Sequence, residues 1–155
     1  MQKEKTMILL AFACSKSLKE NFDYGIYYDP TRRNYGRPFS HIGFYNKQAI
    51  VGIGAVSKIA ACDLIGGQII VQPRFDQNVS ASEKQRIKNT ILKSSYNISI
   101  GHKFILVDKV ERTHFVKGTS GPLRSKQYID LSSYPIITSA DPLNVIANKL
   151  YKLAW

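Results

Sequence analysis

The residues with the most chemistry in this chain are arginines set among aromatic rings. Between Asn21 and Phe39 (NFDYGIYYDPTRRNYGRPF), Arg32, Arg33 and Arg37 interleave with Tyr28, Tyr35 and Phe39. A guanidinium fork pairs phosphate oxygens and an aromatic face stacks on a base, so the combination is the one nucleic-acid binders use. A solvated, partly packed loop accounts for the same residues. A second basic set, Lys117, Arg124 and Lys126, surrounds Gly118 and Ser120-Gly121-Pro122. Glycines there expose backbone N–H groups beside cations, an arrangement suited to a phosphate oxyanion. It is not a Walker loop, since GxxxxGK[ST] is absent. His41 follows the arginine-aromatic stretch and could look into whatever that stretch covers, although capping a strand end is the plainer account.

Catalytic and metal chemistry find little support. Cys14 and the serines sit in no nucleophile elbow or cysteine-protease signature. The acidic residues are dispersed, and the close pair Asp108 and Glu111 lies beside Lys109 and Arg112, where ion pairing explains it. His102, His114 and Lys103 could do acid–base work, but each alone reads as a surface or packing residue. Cys14 and Cys62 lie far apart, the three histidines are scattered, and no zinc spacing is legible. We therefore expect no metal, no cofactor and no enzyme activity.

Charge points to an anionic partner. The 155 residues hold 22 Lys and Arg against 11 Asp and Glu, a formal charge of +11 with a pI near 9.7. The excess is concentrated: residues 72–127 carry eleven basic and four acidic side chains, whereas residues 41–71 and 128–155 are close to neutral. The cysteines end apolar runs and read as free buried thiols in a reducing, cytoplasmic setting. MQKEK followed by MILLAFAC imitates a leader, yet the apolar run is short and Phe12 stands where cleavage wants a small residue, so it reads as a buried strand. No run approaches the roughly 20 apolar residues needed to cross a membrane.

The elements that must position these groups centre on Ser40 to Cys62. His41–Tyr45 and Ala49–Val56 are β-prone runs joined by Asn46-Lys47-Gln48, which predicts a hairpin. Gly52 and Gly54, two apart, leave one strand face bare, for close packing or for a shallow ligand groove. Met7–Ala13 predicts a central strand covered on both faces, and Lys103–Arg112 a second one. Asn21–Phe39 reads as one long loop. Leu64–Gln72 predicts a glycine turn into a short strand. Ser80 with Glu83 makes a capping box for a helix to Ser95, with Ile87, Ile91 and Leu92 as its apolar stripe. Lys84, Arg86, Lys88 and Lys93 fall mostly off that stripe, on a solvated face or one open to a polyanion. Thr113–Asp130 predicts two strand fragments around a basic loop. Asp141-Pro142 starts a final helix with Leu143, Ile146, Leu150 and Leu153 on its core face. The length fits one domain spanning 1–155, of the α+β class.

The strand ending in CSKS, then HIGFYNKQAIVGIGAV, KFILVDKVERTHF and GPLRSKQYIDL together resemble the PUA-like superfamily, and within it the EVE-like modules associated with restriction and defence proteins. The likeness runs from Met7 to Leu131 in the order and character of the strands. It implies a pseudo-barrel of five or six strands with flanking helices, and a pocket that receives a base, often a modified one, flipped from nucleic acid. It also implies that Cys14, Ser15, Ser40 and His41 form the polar side of the pocket, with Tyr35 or Phe39 as stacking wall. The chain departs from the tryptophan cages of many such readers, because its only tryptophan is Trp155. The expected function is binding of DNA carrying a modified base, with Arg32, Arg33, Arg37, Lys117, Arg124 and Lys126 on phosphates. RNA is the near alternative, a small nucleotide or nucleic-acid enzyme the distant one, and a fused or associated nuclease or ATPase the partner the likeness implies. A basic domain docking an acidic protein is a third class.

Overall fold

The computed structural model describes residues 7–73 and 78–155. The charged start of the leader-like stretch, Met1 to Lys5, lies outside the described residues. In chain order the elements are β1 (Ile8–Ala13), α1 (Leu18–Tyr24), β2 (Ile26–Pro30), β3 (His41–Asn46), β4 (Ala49–Ile65), β5 (Gln68–Val71), α2 (Ala81–Lys93), β6 (His102–Val107), β7 (Glu111–Val116), β8 (Lys126–Asp130), a 3-10 turn (Leu131–Ser133) and α3 (Leu143–Leu150). The class is α+β, as expected. The sheet is an 8-stranded mixed one, with path β2-β6-β4-β3-β1-β8 and with β5 and β7 also paired to β4. It is not closed into a barrel, which corrects the expected pseudo-barrel of five or six strands. By contacts the chain divides into two compact units: residues 1–15, 37–55 and 109–155, and residues 16–36 and 56–108.

In the first unit β1 runs parallel to β3 and antiparallel to β8, and β3 runs antiparallel to the start of β4, which also pairs with β7. Strand β1 is central and buried, as its unbroken apolar run requires. One face carries a core that includes Leu9, Ile53, Phe115, Leu131, Ile146 and Leu150. Burying each such side chain contributes about 1.5–3 kcal/mol. Helix α3 supplies Ile146, Ala147 and Leu150 to that core. It starts one residue later than expected, with Pro142 at the N-cap, while Asp141 accepts from the Thr138 amide and the Lys149 ammonium. Trp155 packs against Tyr45 and Phe115 and donates its indole N–H to the Phe115 carbonyl at 3.1 Å. Gly43 is forced, since a Cβ there would lie 2.8 Å from Leu9 Cδ2. The hairpin turn is Lys47-Gln48, both at positive φ (50° and 67°), a type I′ conformation usually given to Asn-Gly. The Gln48 side chain donates to the Gly121 carbonyl and the Gln48 carbonyl accepts from the Lys117 amide, which ties this costly turn to the loop before β8. Gly52 and Gly54 lie opposite the fully buried Phe44 and Ile42 and are themselves buried. Their burial favours the close-packing reading over the groove.

The second unit holds β2, β6, the later half of β4, and β5, all antiparallel. Its core includes Ile26, Cys62, Ile87, Ile91, Phe104 and Leu106. Helix α2 has the expected capping box: the Glu83 amide donates to Ser80 Oγ, and the Ser80 amide to Glu83 Oε1 at 2.8 Å. Ile87 and Ile91 are buried, but Leu92 is 64% exposed and does not belong to the stripe. Arg86 is not on a solvated face either. It donates to the carbonyls of Tyr24, Gly25 and Val107. The expected loop Asn21–Phe39 is corrected as well, because α1 and β2 occupy about half of it, and the irregular stretch begins at residue 31. Gly25 takes a left-handed φ of 64°, ending α1 with its amide on the Asn21 carbonyl, and the β-prone Ile26-Tyr27-Tyr28 then pairs with β6. Cys14, in the first unit, and Cys62, in the second, are buried, and neither is in a disulfide. Among the described residues no helix is long and apolar enough to cross a membrane.

Candidate functional site

The register of the first unit decides which candidate residues meet. Strands β1 and β3 are parallel, with Leu9 beside His41 and Ala13 beside Tyr45. The end of β1 therefore lies beside the end of β3, not its start. Cys14 donates its amide to the Tyr45 carbonyl, while Ser40 donates both its amide and its hydroxyl to the Ile8 carbonyl. At ~3.3 Å per residue, Cys14 and His41 are about five residues of strand, or ~16 Å, apart. Cys14 and Ser15 do not share one pocket wall with Ser40 and His41. The His41 ring is bonded through Nδ1 to Ser40 Oγ at 2.7 Å.

A different grouping does form, along β8. Among the described residues this strand pairs with β1 alone and is an edge of the sheet. The Arg37 guanidinium lies 5.5 Å over the ring of Tyr128, and Lys126, two residues away, stands on the same side of the strand. Arg124 is exposed just before it, where the chain bends through Ser125 at φ 75° and the Lys126 amide returns to the Arg124 carbonyl. Ala13, at the end of β1, donates to the Ser125 carbonyl, so Arg124 lies by the Cys14 end. Lys126 and Tyr128 on β8, Arg124 just before it and Arg37 over the Tyr128 ring thus offer cations along an exposed strand edge beside an aromatic side chain. The Tyr128 hydroxyl is buried and has no hydrogen-bond partner among the described residues. Sequence reading quoted this segment but passed over Tyr128. The spacing of Lys126 and Tyr128, two apart on one face of β8, was the signal for it. Lys117 points elsewhere, with its ammonium donating to Thr119 and to the Ser120 carbonyl, and so it braces its own loop. Phe39 is half-buried ahead of β3.

The other candidates belong to the second unit. Arg32 is exposed. Arg33 donates to Asp29 at 3.1 Å, and the Tyr35 hydroxyl donates to the other oxygen of the same carboxylate at 3.1 Å. The Lys103 ammonium sits 3.9 Å from the Tyr35 ring centroid and donates to the Arg33 carbonyl. Burial, reinforced by the Asp29 charge, drives the Tyr35 phenol far above its usual range. Asp29 and Lys103 are each 3% exposed, so this network is an internal clasp on residues 31–36. It occupies one face and the hydroxyl of Tyr35 and one amino group of Arg33. His102 bonds through Nδ1 with the Ile100 carbonyl, and His114, in the first unit, tilts against Tyr151. Among the described residues no group of three His, Cys, Asp or Glu could hold a metal ion. Comparison with known proteins gives no match: no family model, no curated protein and no solved structure.

Proposed function

We propose that this chain is a nucleic-acid-binding module of the PUA-like, EVE-like kind, reading DNA with a modified base by taking that base out of the stack. The observation that carries the proposal is the β8 edge, where Arg37 lies over the Tyr128 ring beside Lys126 and Arg124. Such a strip can track a phosphate backbone while the aromatic ring accepts a base. Net charge supports binding, and only the family likeness supports base modification. RNA remains the neighbouring reading. For the small-enzyme reading with His41 and Cys14 at the chemistry, the ~16 Å of strand between them is unfavourable.

The test is an anisotropy titration with methylated, hydroxymethylated and unmodified DNA and with RNA of the same sequence. If Arg37, Arg124 and Lys126 each neutralise one phosphate, the slope of log K against log salt is about −2.7, or roughly 40-fold between 50 and 200 mM. Exchange of both Arg124 and Lys126 for Gln takes about two charges off that slope. A fluorescent base analogue at the modified position brightens on binding if the base leaves the stack. A flat salt response rejects nucleic-acid binding, and equal affinity for all DNAs with no brightening rejects modified-base reading.

A further inference from the structure

A second site stands in the other unit, where a cavity of about 310 Å³ opens between α1 and the end of α2. Its lining includes Lys16, Lys19, Glu20, Asp23, Lys93 and Ser95. From these residues we infer that the cavity binds a phosphomonoester group, held by Lys16 and Lys93. The volume is at the small end of the range for ligand pockets, enough for a phosphate with a ring or sugar attached.

Charge decides between ligands. Lys19 is occupied by Asp23 at 2.6 Å, so those two cancel. Lys16 and Lys93 have no ion-pair partner among the described residues, and both are exposed at the rim. Glu20 is the unusual member, since its side chain lines the cavity although the residue is only 8% exposed. No cation is bonded to it among the described residues. Its carboxyl accepts from the Tyr28 hydroxyl at a long 3.5 Å and is hydrogen-bonded by the Ser94 side chain, while the Tyr28 hydroxyl lies 2.8 Å from Ser94 Oγ. Tyr28 from β2 and Ser94 from the end of α2 contact Glu20, and Lys16, Lys19, Asp23, Lys93 and Ser95 line the same cavity. Burial raises the Glu20 pKa, which favours the neutral acid, a hydrogen-bond donor that does not repel an anion. Two lysines without an ion-pair partner among the described residues, lining one cavity with a Lys19–Asp23 pair that cancels itself, suit a phosphate oxyanion and disfavour an amine. Phosphate groups of this type come from a free phosphomonoester or from the 5′ end of a nucleic-acid strand.

Isothermal titration of the full chain tests this with inorganic phosphate, a 5′-phosphorylated tetranucleotide, its 5′-hydroxyl counterpart and propylamine. The expected result is binding of the two phosphate-bearing probes, weakened about tenfold or more in the Lys16→Gln/Lys93→Gln variant, whose changes lie on exposed side chains. Equal affinity for both probes assigns a free phosphomonoester, and preference for the tetranucleotide assigns a strand end. Glu20→Gln separates the role of the acid: the variant binds about three- to tenfold more tightly than wild type at pH 8, and the gap narrows as pH falls and Glu20 takes up its proton. Taking the ratio of the two proteins cancels the titration of phosphate itself. Undetectable phosphate binding, unchanged affinity in the double variant, or binding of propylamine instead overturns the site. A ratio independent of pH overturns the part assigned to Glu20. These residues lie outside the β8 edge, so failure here leaves the DNA reading standing, and the reverse also holds.

Discussion

Replacing Arg86 with Ala is the sharpest test of how the second unit is held. Its Nε donates to the Tyr24 carbonyl at 3.0 Å, and its Nη2 to the Gly25 and Val107 carbonyls at 3.1 and 2.6 Å. One side chain of α2 therefore fastens the end of α1 and the end of β6. Hydrogen bonds from a charged donor contribute about 1.5–3 kcal/mol each. Arg86 is half-buried, so water recovers part of that, and a loss of about 3–5 kcal/mol is expected, a large share of the ~5–15 kcal/mol by which domains are stable. Arg86→Lys keeps the charge but one contact at most, and should lose about 2–3 kcal/mol. Urea denaturation followed by far-ultraviolet circular dichroism measures the loss. Amide exchange at Val107, whose N–H donates to the Gly25 carbonyl at 2.9 Å, localises it. Gly25→Ala provides a cross-check, since its Cβ would lie 2.9 Å from Arg86 Nη2 and 2.8 Å from the Val107 oxygen. With Arg86 removed, part of that clash is relieved, so the double variant is less destabilised than the sum of the two. A loss under about 1 kcal/mol for Arg86→Ala, with Val107 protection unchanged, would refute the clasp.

Lys58 and the Ser80 amide hold the Glu83 carboxyl below its usual range, so its contribution is present at neutral pH and is lost as pH falls through that depressed value. Glu83→Gln should therefore lower stability at pH 7, and the gap to wild type should close near pH 2 in parallel urea titrations. Burial and the neighbouring Asp63 push the Cys62 thiol up to about 11, so iodoacetamide at pH 8 should leave Cys62 unlabelled in the native protein and modify it after unfolding. Mass spectrometry of the digested protein reads that difference. The Tyr45 hydroxyl is buried without a hydrogen-bond partner among the described residues, and Tyr45→Phe should raise stability by about 1 kcal/mol in thermal melts.

Local signals were legible where the chain settles its own structure. The Ser80/Glu83 capping box, the unbroken run of β1, the 41–56 hairpin and the core face of α3 all follow from spacing. The Asn21–Phe39 stretch was misread because Asp-Pro and Asn-Tyr-Gly turn signals outweighed three β-prone residues, and only pairing with β6 decides in favour of a strand. Leu92 and Arg86 show the same limit on α2. Their spacing fits either face, and burial is set by which strand and helix end lie beneath. The base pocket depended on whether β1 and β3 run parallel or antiparallel, which no local pattern encodes. The Asp29, Tyr35 and Lys103 clasp joins residues from distant parts of the sequence, so nothing near Tyr35 announced that its hydroxyl was committed.

The chain passes from one compact unit to the other four times, near residues 15, 36, 55 and 108, and the third passage falls inside the unbroken strand β4. Neither unit is encoded by a contiguous stretch. Expressing 56–108 alone would discard α1 and β2 and strip β6 of a neighbour, while a fragment ending at 55 would lack β7, β8 and α3. Deletion mapping with fragments that end at any of these four passages would accordingly leave a unit incomplete, and point substitutions are the tool that can assign a function to either half.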